Sequence, residues 1–109
     1  MALPKYQNCI DACADSIVAC KNCANEDLNE KDVEVLARCI RLNHDSAAVC
    51  ILAMQAMSSD SEFVKQICKL CAEICNVCAD ECDKHEHIEH CKSCAEACRR
   101  CTLECIKFS

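Results

Sequence analysis

Ten cysteines in the second half of the chain follow one rule. Cys68, Cys71, Cys75, Cys78 and Cys82, then Cys91, Cys94, Cys98, Cys101 and Cys105, form two runs that each step by 3, 4, 3 and 4 residues. That is the a/d alternation of a heptad, and it confines each set of five sulfurs to one stripe of an α-helix, about 21 Å long at 1.5 Å per residue. The first half carries the same frame more loosely. Cys9, Cys13, Cys20 and Cys23 fit it, with Ser16 standing where the next thiol falls. Cys39, Asn43, Ser46, Cys50, Ala53 and Met57 make a fourth seam, with Met54 beside it.

The segments between these seams are short polar clusters: Asn25-Glu26-Asp27 onward, Ser58-Ser59-Asp60-Ser61, and Asp83-Lys84-His85-Glu86. Each is short enough to reverse a helix into an antiparallel neighbour. Ser59 followed by Glu62 fits a capping box ahead of Phe63-Val64, and Pro4 suits a first helical turn. The expected structure is all-α: an antiparallel up-down-up-down four-helix bundle with a cysteine-lined core, one domain over residues 1–109, with helices near 5–24, 30–57, 61–83 and 87–106. Val33, Leu36, Ile40, Ala47 and Ile51 on the second helix, with Ile67, Leu70, Ile74 and Val77 on the third, flank the thiol seam. They would hold the bundle together before any ligand binds, and their surplus would serve a homo-oligomer face.

Composition removes several function classes. The 109 residues include 16 Cys, four His and one Pro but no Gly, and 18 acidic against 12 basic residues give a net charge of −6. Without glycine, architectures that depend on positive-φ turns, phosphate-cradling loops or dinucleotide fingerprints are excluded. With no tryptophan and few aromatics, base-stacking platforms are excluded too. The acidic balance, with basic residues dispersed among Glu and Asp, argues against a nucleic-acid or anionic-membrane partner. The N-terminus, Met1 to Asn8, has no apolar run followed by a small-residue cleavage site, and no window reaches the ~18 apolar residues of a membrane span. The expectation is a cytoplasmic chain.

Single buried thiols behave as small hydrophobes, but leucine would fill a bundle core far better than ten consecutive heptad cysteines. Disulfides within a run fit poorly, since side chains three or four apart on a helix have Cβ atoms ~5–6 Å apart and a disulfide needs about 3.8 Å. Cross-helix pairing stays open. Iron–sulfur motifs place cysteines in loops that wrap the cluster, whereas these lie on long helices. A tetrathiolate Zn(II) site carries two net negative charges, so four such sites would bury about eight in a narrow bundle. A soft monovalent ion bound at about one per thiolate replaces one proton and leaves no net charge. Cu(I) is that ion, selected by thiolate, and two sulfurs from an i, i+3 or i, i+4 pair can flank it. The reading is a non-enzymatic store of many Cu(I) ions per chain, with an iron–sulfur or a zinc and heavy-metal thiolate protein of the metallothionein type as alternatives.

These residues resemble the bacterial copper storage proteins, cysteine-rich four-helix bundles. The features that carry the likeness are the two five-cysteine runs at 68–82 and 91–105, the pairs Cys9/Cys13 and Cys20/Cys23, and the signal-less N-terminus; the likeness covers nearly the whole chain. It implies a tetramer of bundles filled with Cu(I), in the cytosolic branch of the family. It also implies that Cys9, Cys13, Cys20, Cys23, Cys39, Cys50 and the ten thiols of the two runs are metal ligands. Ser16 and Ser46 depart from the pattern and imply a lower local capacity.

In such a topology one end of the bundle gathers Cys9, Met54, Met57, Cys68 and Cys105, and the other gathers Cys23, Cys39, Cys82, Cys91 and the 85–90 loop. Met54 and Met57 offer thioethers for passing an ion inward, or simply plug the core. His87 and His90 stand four residues before Cys91 and Cys94, so each could share an ion with a thiolate, or belong to a solvated loop. His44 falls off the seam and reads as a surface residue, and Asn43 could cap the thiol column by a hydrogen bond.

Overall fold

Each of the four cysteine-bearing segments is an α-helix in the computed structural model, which describes residues 4–109. Met1 to Leu3, part of the N-terminal segment expected to carry no signal, lie outside the described residues. A 3-10 turn at Pro4–Tyr6 leads into α1 (Gln7–Asp27). A second 3-10 turn at Val33–Leu36 precedes α2 (Ala37–Ser58), and α3 (Val64–Asp83) and α4 (Glu89–Ile106) follow. α1 packs against α2 and α4, and α3 against the same two helices, so the four close a ring around one axis. The bundle measures 44 × 20 × 17 Å.

The helix ends differ from the sequence expectation, each for a local reason. α1 runs three residues further, to Asp27. The 30–36 segment is a turn and a 3-10 helix rather than the start of α2; Val33 and Val35 are β-branched and favour helix weakly. The capping box at Ser59 and Glu62 does not form. Ser59 caps the C-terminus of α2 instead, its hydroxyl donating to the Gln55 carbonyl at 3.1 Å and the Ala56 carbonyl at 3.4 Å. Asp60 then takes a left-handed φ of 50°, and the N–H groups of Ser61 and Asp60 return to the carbonyls of Ala56 and Met57 at 2.9 and 3.3 Å. This is a Schellman closure with Asp where glycine usually stands. The exclusion of positive-φ turns from the glycine count was therefore too broad. Tyr6 supports the strained residue by donating its phenol O–H to the Asp60 carboxylate at 3.2 Å.

Cysteine and alanine fill the axis. Every cysteine has zero exposure, and Ala12, Ala24, Ala47, Ala53, Ala56, Ala72, Ala79 and Ala95 are buried around them. Such short side chains let the helices approach closely, and the aliphatic flank is consequently divided. Leu36 and Ala47 are buried, Val33, Ile40, Ile67 and Ile74 are half-buried, and Ile51, Leu70 and Val77 are exposed. Those three contribute less to the isolated bundle than the sequence pattern suggested.

Polar ties join each pair of neighbouring helices. Lys21 on α1 donates to His44 Nδ1 on α2, Arg100 on α4 pairs with Asp15 on α1, and Arg99 spans from α4 to Asp80 and Asp83 on α3. These lie at the surface and stabilise little. The α2–α3 tie is different, because Glu81 is buried and receives Arg38 at 2.7 Å, His85 at 3.0 Å and Lys84 at 3.3 Å. Burial alone would push its pKa up, but the hydrogen bonds from His85, Arg38 and Lys84 outweigh that and hold the carboxyl below its usual value of 4.5.

Two outcomes follow for metal-free, reduced protein. Its far-UV circular dichroism spectrum is that of a helical protein, since the core closes without an ion; a random-coil spectrum would contradict this. Glu81→Gln lowers unfolding stability at pH 7 by about 1–3 kcal/mol, because partners of a buried acceptor lose their charge-assisted bonds. A depressed folded pKa stabilises fully above the unfolded value and ceases to do so as pH falls through the folded one. The stabilities of the two proteins should therefore converge only below the usual carboxylate value of 4.5, as pH falls through the depressed folded pKa of Glu81.

Candidate metal centre

The sixteen cysteines are all free thiols, and the heptad frame of four antiparallel helices brings them onto one axis. Sulfur atoms of different helices lie within hydrogen-bond reach along its length. At the α1 N-terminal end Cys9 meets Cys105 at 3.5 Å, and one turn further Cys13 meets Cys101 at 3.7 Å. Cys50 contacts Cys101, Cys75 and Cys71 at 3.6, 3.7 and 3.8 Å. Potential ligand atoms gather within 4.8 Å of one another in overlapping sets: Cys9, Cys68 and Cys105; Cys13, Cys71, Cys101 and Cys105; Cys50, Cys71, Cys75 and Cys101. Cys71, Cys101 and Cys105 belong to more than one set. Shared sulfurs are what thiolate bridges between soft ions require.

The other half of the axis has a further set, Cys20, Cys78, Cys94 and Cys98, with Cys39 and Cys82 at 3.8 Å and Cys23 and Cys91 at 3.9 Å beyond it. Asn43 sits among them, fully buried. Its Oδ1 accepts from Cys78 at 3.2 Å and Cys94 at 3.3 Å, and its Nδ2 donates to Cys39 at 3.6 Å. The hydrogen-bonding role expected for Asn43 is thus present, and its carbonyl oxygen is placed where an ion bound by those thiolates would meet it.

The two ends of the column are unlike. At the Cys9 end Met57 is fully buried and Met54 half-buried, and the Tyr6 and Phe108 rings close over the core edge to face at 5.0 Å. Met57 packs there as a plug. At the opposite end Asp27, with zero exposure, accepts from His90 Nε2 at 2.8 Å and from Cys91 at 3.4 Å. Cys23, Asp27, His90 and Cys91 offer four ligand atoms within 4.8 Å. His90 keeps 14% of its side chain exposed, so this group extends from the buried thiols to solvent. The thiols beside His90 are Cys23 and Cys91, not Cys94. His87 is exposed and lines a separate surface cavity with Glu30, Asp32 and His85; α4 starts only at Glu89, so the heptad register does not extend back to it. His44 lies exposed at the surface, as expected. Sequence reading missed Asp27, although the seam steps 9, 13, 16, 20, 23 and 27 carry the frame directly onto it.

Comparison with known proteins decides the family. The family model for copper storage proteins matches residues 3–109. The chain belongs to that family. It is similar to the Cu(I)-bound copper storage protein BsCsp3 of Bacillus subtilis, 43% identical, with 95% of this chain and 97% of that one covered and a TM-score of 0.90. It is also similar to a cytosolic copper storage protein of Streptomyces lividans, solved with five coppers, at 35% identity, 95% and 91% coverage and a TM-score of 0.92. A cysteine-rich Bacillus subtilis protein, YhjQ, is 47% identical over 79 residues, 72% of this chain and 73% of its own length.

Proton distribution among the thiols of this copper storage protein is uneven. At Cys82 the neighbouring Cys23 opposes ionisation, yet hydrogen bonds from Cys39, Cys78 and Cys94 outweigh it and bring the pKa down to about 5. Cys20, Cys23, Cys50 and Cys105 are likewise held low as acceptors from adjacent thiols, Cys78, Cys39, Cys101 and Cys101 respectively being the strongest donors. Their donors are pushed up in turn, Cys39 by Cys23 and Cys101 by Cys105.

Such burial predicts slow modification. In native, reduced protein a thiol-specific alkylating reagent should label the sixteen cysteines at least about 100-fold more slowly than in denaturant, the protection given by an opening that costs ~2.7 kcal/mol. Rapid labelling of the Cys13, Cys50, Cys75 or Cys101 positions without denaturant would contradict the packing described.

Proposed function

We propose that this chain, as one bundle domain over residues 1–109, stores Cu(I) along its axis, with all sixteen thiols as ligands: Cys9, Cys13, Cys20, Cys23, Cys39, Cys50, Cys68, Cys71, Cys75, Cys78, Cys82, Cys91, Cys94, Cys98, Cys101 and Cys105. The observation that carries this reading is the column itself: sixteen free thiols with no exposure, most of them gathered in sets whose ligand atoms lie within 4.8 Å, with Cys71, Cys101 and Cys105 shared between sets. A store needs many equivalent soft sites and no net charge in the interior. Each Cu(I) that replaces a thiol proton meets both conditions, whereas tetrathiolate Zn(II) would leave buried charge in the core. Loading releases protons from thiols whose unperturbed pKa is near 8.5, so affinity rises with pH.

Membership of the copper storage family and the Cu(I)-bound state of its relatives support the same reading, together with a storage role that involves no catalytic turnover. The Streptomyces lividans relative is cytosolic, and a cytoplasmic location for this chain suits the reduced state that its free thiols need. Uptake proceeds through the Asp27/His90 end, where a carboxylate and an imidazole stand between solvent and Cys23 and Cys91, while the Met57, Tyr6 and Phe108 end is plugged. Exposed Phe63 just before α3 and Leu70 and Val77 on it, with Ile51 and Leu52 on α2, supply an apolar face for self-association into a tetramer.

Anaerobic titration of reduced protein with Cu(I) against a chromogenic chelator tests storage. About sixteen ions per chain should be held, one per thiolate, and Zn(II) should not displace them. Saturation near four ions, or preference for Zn(II), would favour a tetrathiolate buffer instead. His90→Ala and Asp27→Asn should slow Cu(I) uptake from a donor complex about tenfold or more, while final capacity falls by no more than one or two ions.

A further inference from the structure

The thiol column is not continuous. Midway along it Ser16 on α1 and Ser46 on α2 occupy seam positions at the same level as Cys75 and Cys98, and both serines are fully buried. Ser46 Oγ lies 3.3 Å from Cys75 and 3.9 Å from Cys98; Ser16 Oγ lies 3.7 Å from Cys98 and 3.8 Å from Cys20. Cys75 and Cys98 are thereby linked through a hydroxyl rather than to each other. On the plugged side, sulfur contacts within 4 Å chain Cys9, Cys105, Cys101, Cys13, Cys50, Cys71 and Cys75 together, and Cys68 joins at Cys9 and Cys105. On the His90 side Cys20 contacts both Cys94 and Cys98, with Cys78 in the same set. Cys39 with Cys82 and Cys23 with Cys91 complete it. Among the described residues no sulfur–sulfur hydrogen-bond contact joins the two sides.

We propose that the Ser16–Ser46 layer divides the store into two chambers of eight thiols each, which bind and release Cu(I) as independent units. This rests on the storage reading above. The chemistry is that of ligand softness: a neutral hydroxyl oxygen is a hard donor that does not bridge Cu(I), so a thiolate-bridged assembly stops where sulfur gives way to oxygen. What the serines can do is donate hydrogen bonds to thiolates on either side, Cys75 and Cys98 above all, and so satisfy the sulfur lone pairs that would otherwise bridge across. The chambers also differ in kind. The plugged one is walled by sulfur, Met57 and aliphatic groups, while the other adds the Asn43 oxygen and the Asp27/His90 pair, so their affinities differ and a half-filled protein is a defined species.

Copper-loaded protein titrated with a Cu(I) chelator, quenched with an alkylating reagent and mapped by peptide mass spectrometry gives the release midpoint of every cysteine. Cys71→Ser/Cys101→Ser should shift the midpoints of the remaining plugged-side thiols at least about tenfold toward release and leave the eight thiols of the other chamber within about twofold of the unmodified protein. Cys68→Ser/Cys105→Ser, at the bundle end, gives the same reading should the central pair fail to fold. Adding Ser16→Cys/Ser46→Cys should raise capacity by about two ions and make either pair of substitutions shift both groups. If the far chamber shifts together with the near one while both serines are in place, the division is wrong although storage stands. If unmodified protein holds only about four ions or prefers Zn(II), the storage reading fails first.

Discussion

A sulfur atom on a one-carbon stem is the constraint from which the rest of this structure follows. Cysteine is small enough for four helices to close around it with alanine as the filler, and that close approach is what sets thiols of neighbouring helices 3.5 to 3.9 Å apart. A leucine seam would give a stronger hydrophobic core, but it would hold the helices apart and offer nothing to a metal. Packing and ligation are the same contacts here. Stability is therefore drawn from the margins: Leu36, Val49, Val64 and Met57 in the core, the Tyr6–Phe108 plug, and the buried Glu81 that gathers Arg38, Lys84 and His85 between α2 and α3.

The same economy explains the asymmetry of the ends. A column of soft ligands must be closed to solvent, or its thiolates would be lost to protons and oxidants, yet it must open somewhere. At one end closure is apolar. At the other it is made by a carboxylate and an imidazole that hydrogen-bond one another, a polar lid of one hard and one intermediate ligand. Behind the partly exposed His90 stand Asp27, Cys23 and Cys91, so the donor set at that end passes from nitrogen and oxygen to the sulfur of the column.

Much of this was legible in the sequence because the cysteines mark the helix frame without ambiguity. Ten heptad positions fix two helices, and the looser seams of Cys9 to Cys23 and Cys39 to Met57 fix the others. What was not legible lay where other forces set the geometry. The helix ends depend on a Schellman closure using Asp60, which no residue-type rule announces when glycine is absent, and on β-branched Val33 and Val35 holding the start of α2 in a 3-10 turn. His87 stood in register by counting, but Ile88 is extended (φ −95°, ψ 117°) and ends the register. Asp27 lay in the frame and was passed over because acidic residues at a helix end read as solvated. The exposure of Leu70 and Val77 reflects how narrow the bundle becomes on cysteine and alanine, a consequence of side-chain volume that periodicity does not convey.

Serine in place of cysteine is the smallest possible edit, one oxygen for one sulfur, and it keeps the packing while changing the chemistry. In an ordinary core two buried hydroxyls would need explanation as polar groups in an apolar place. Here both hydroxyls have thiol partners, Ser46 on both sides of the layer and Ser16 on the His90 side, and no buried side-chain nitrogen or oxygen among the described residues lacks a partner. The layer costs the fold little. Its effect falls on the cargo, because a chain of bridging thiolates transmits any change in one ion's binding to the next, and a hard, neutral oxygen does not. Partition of a metal store can thus be written by single-atom substitutions at heptad positions, with the helices, the seam and the mouth left unchanged.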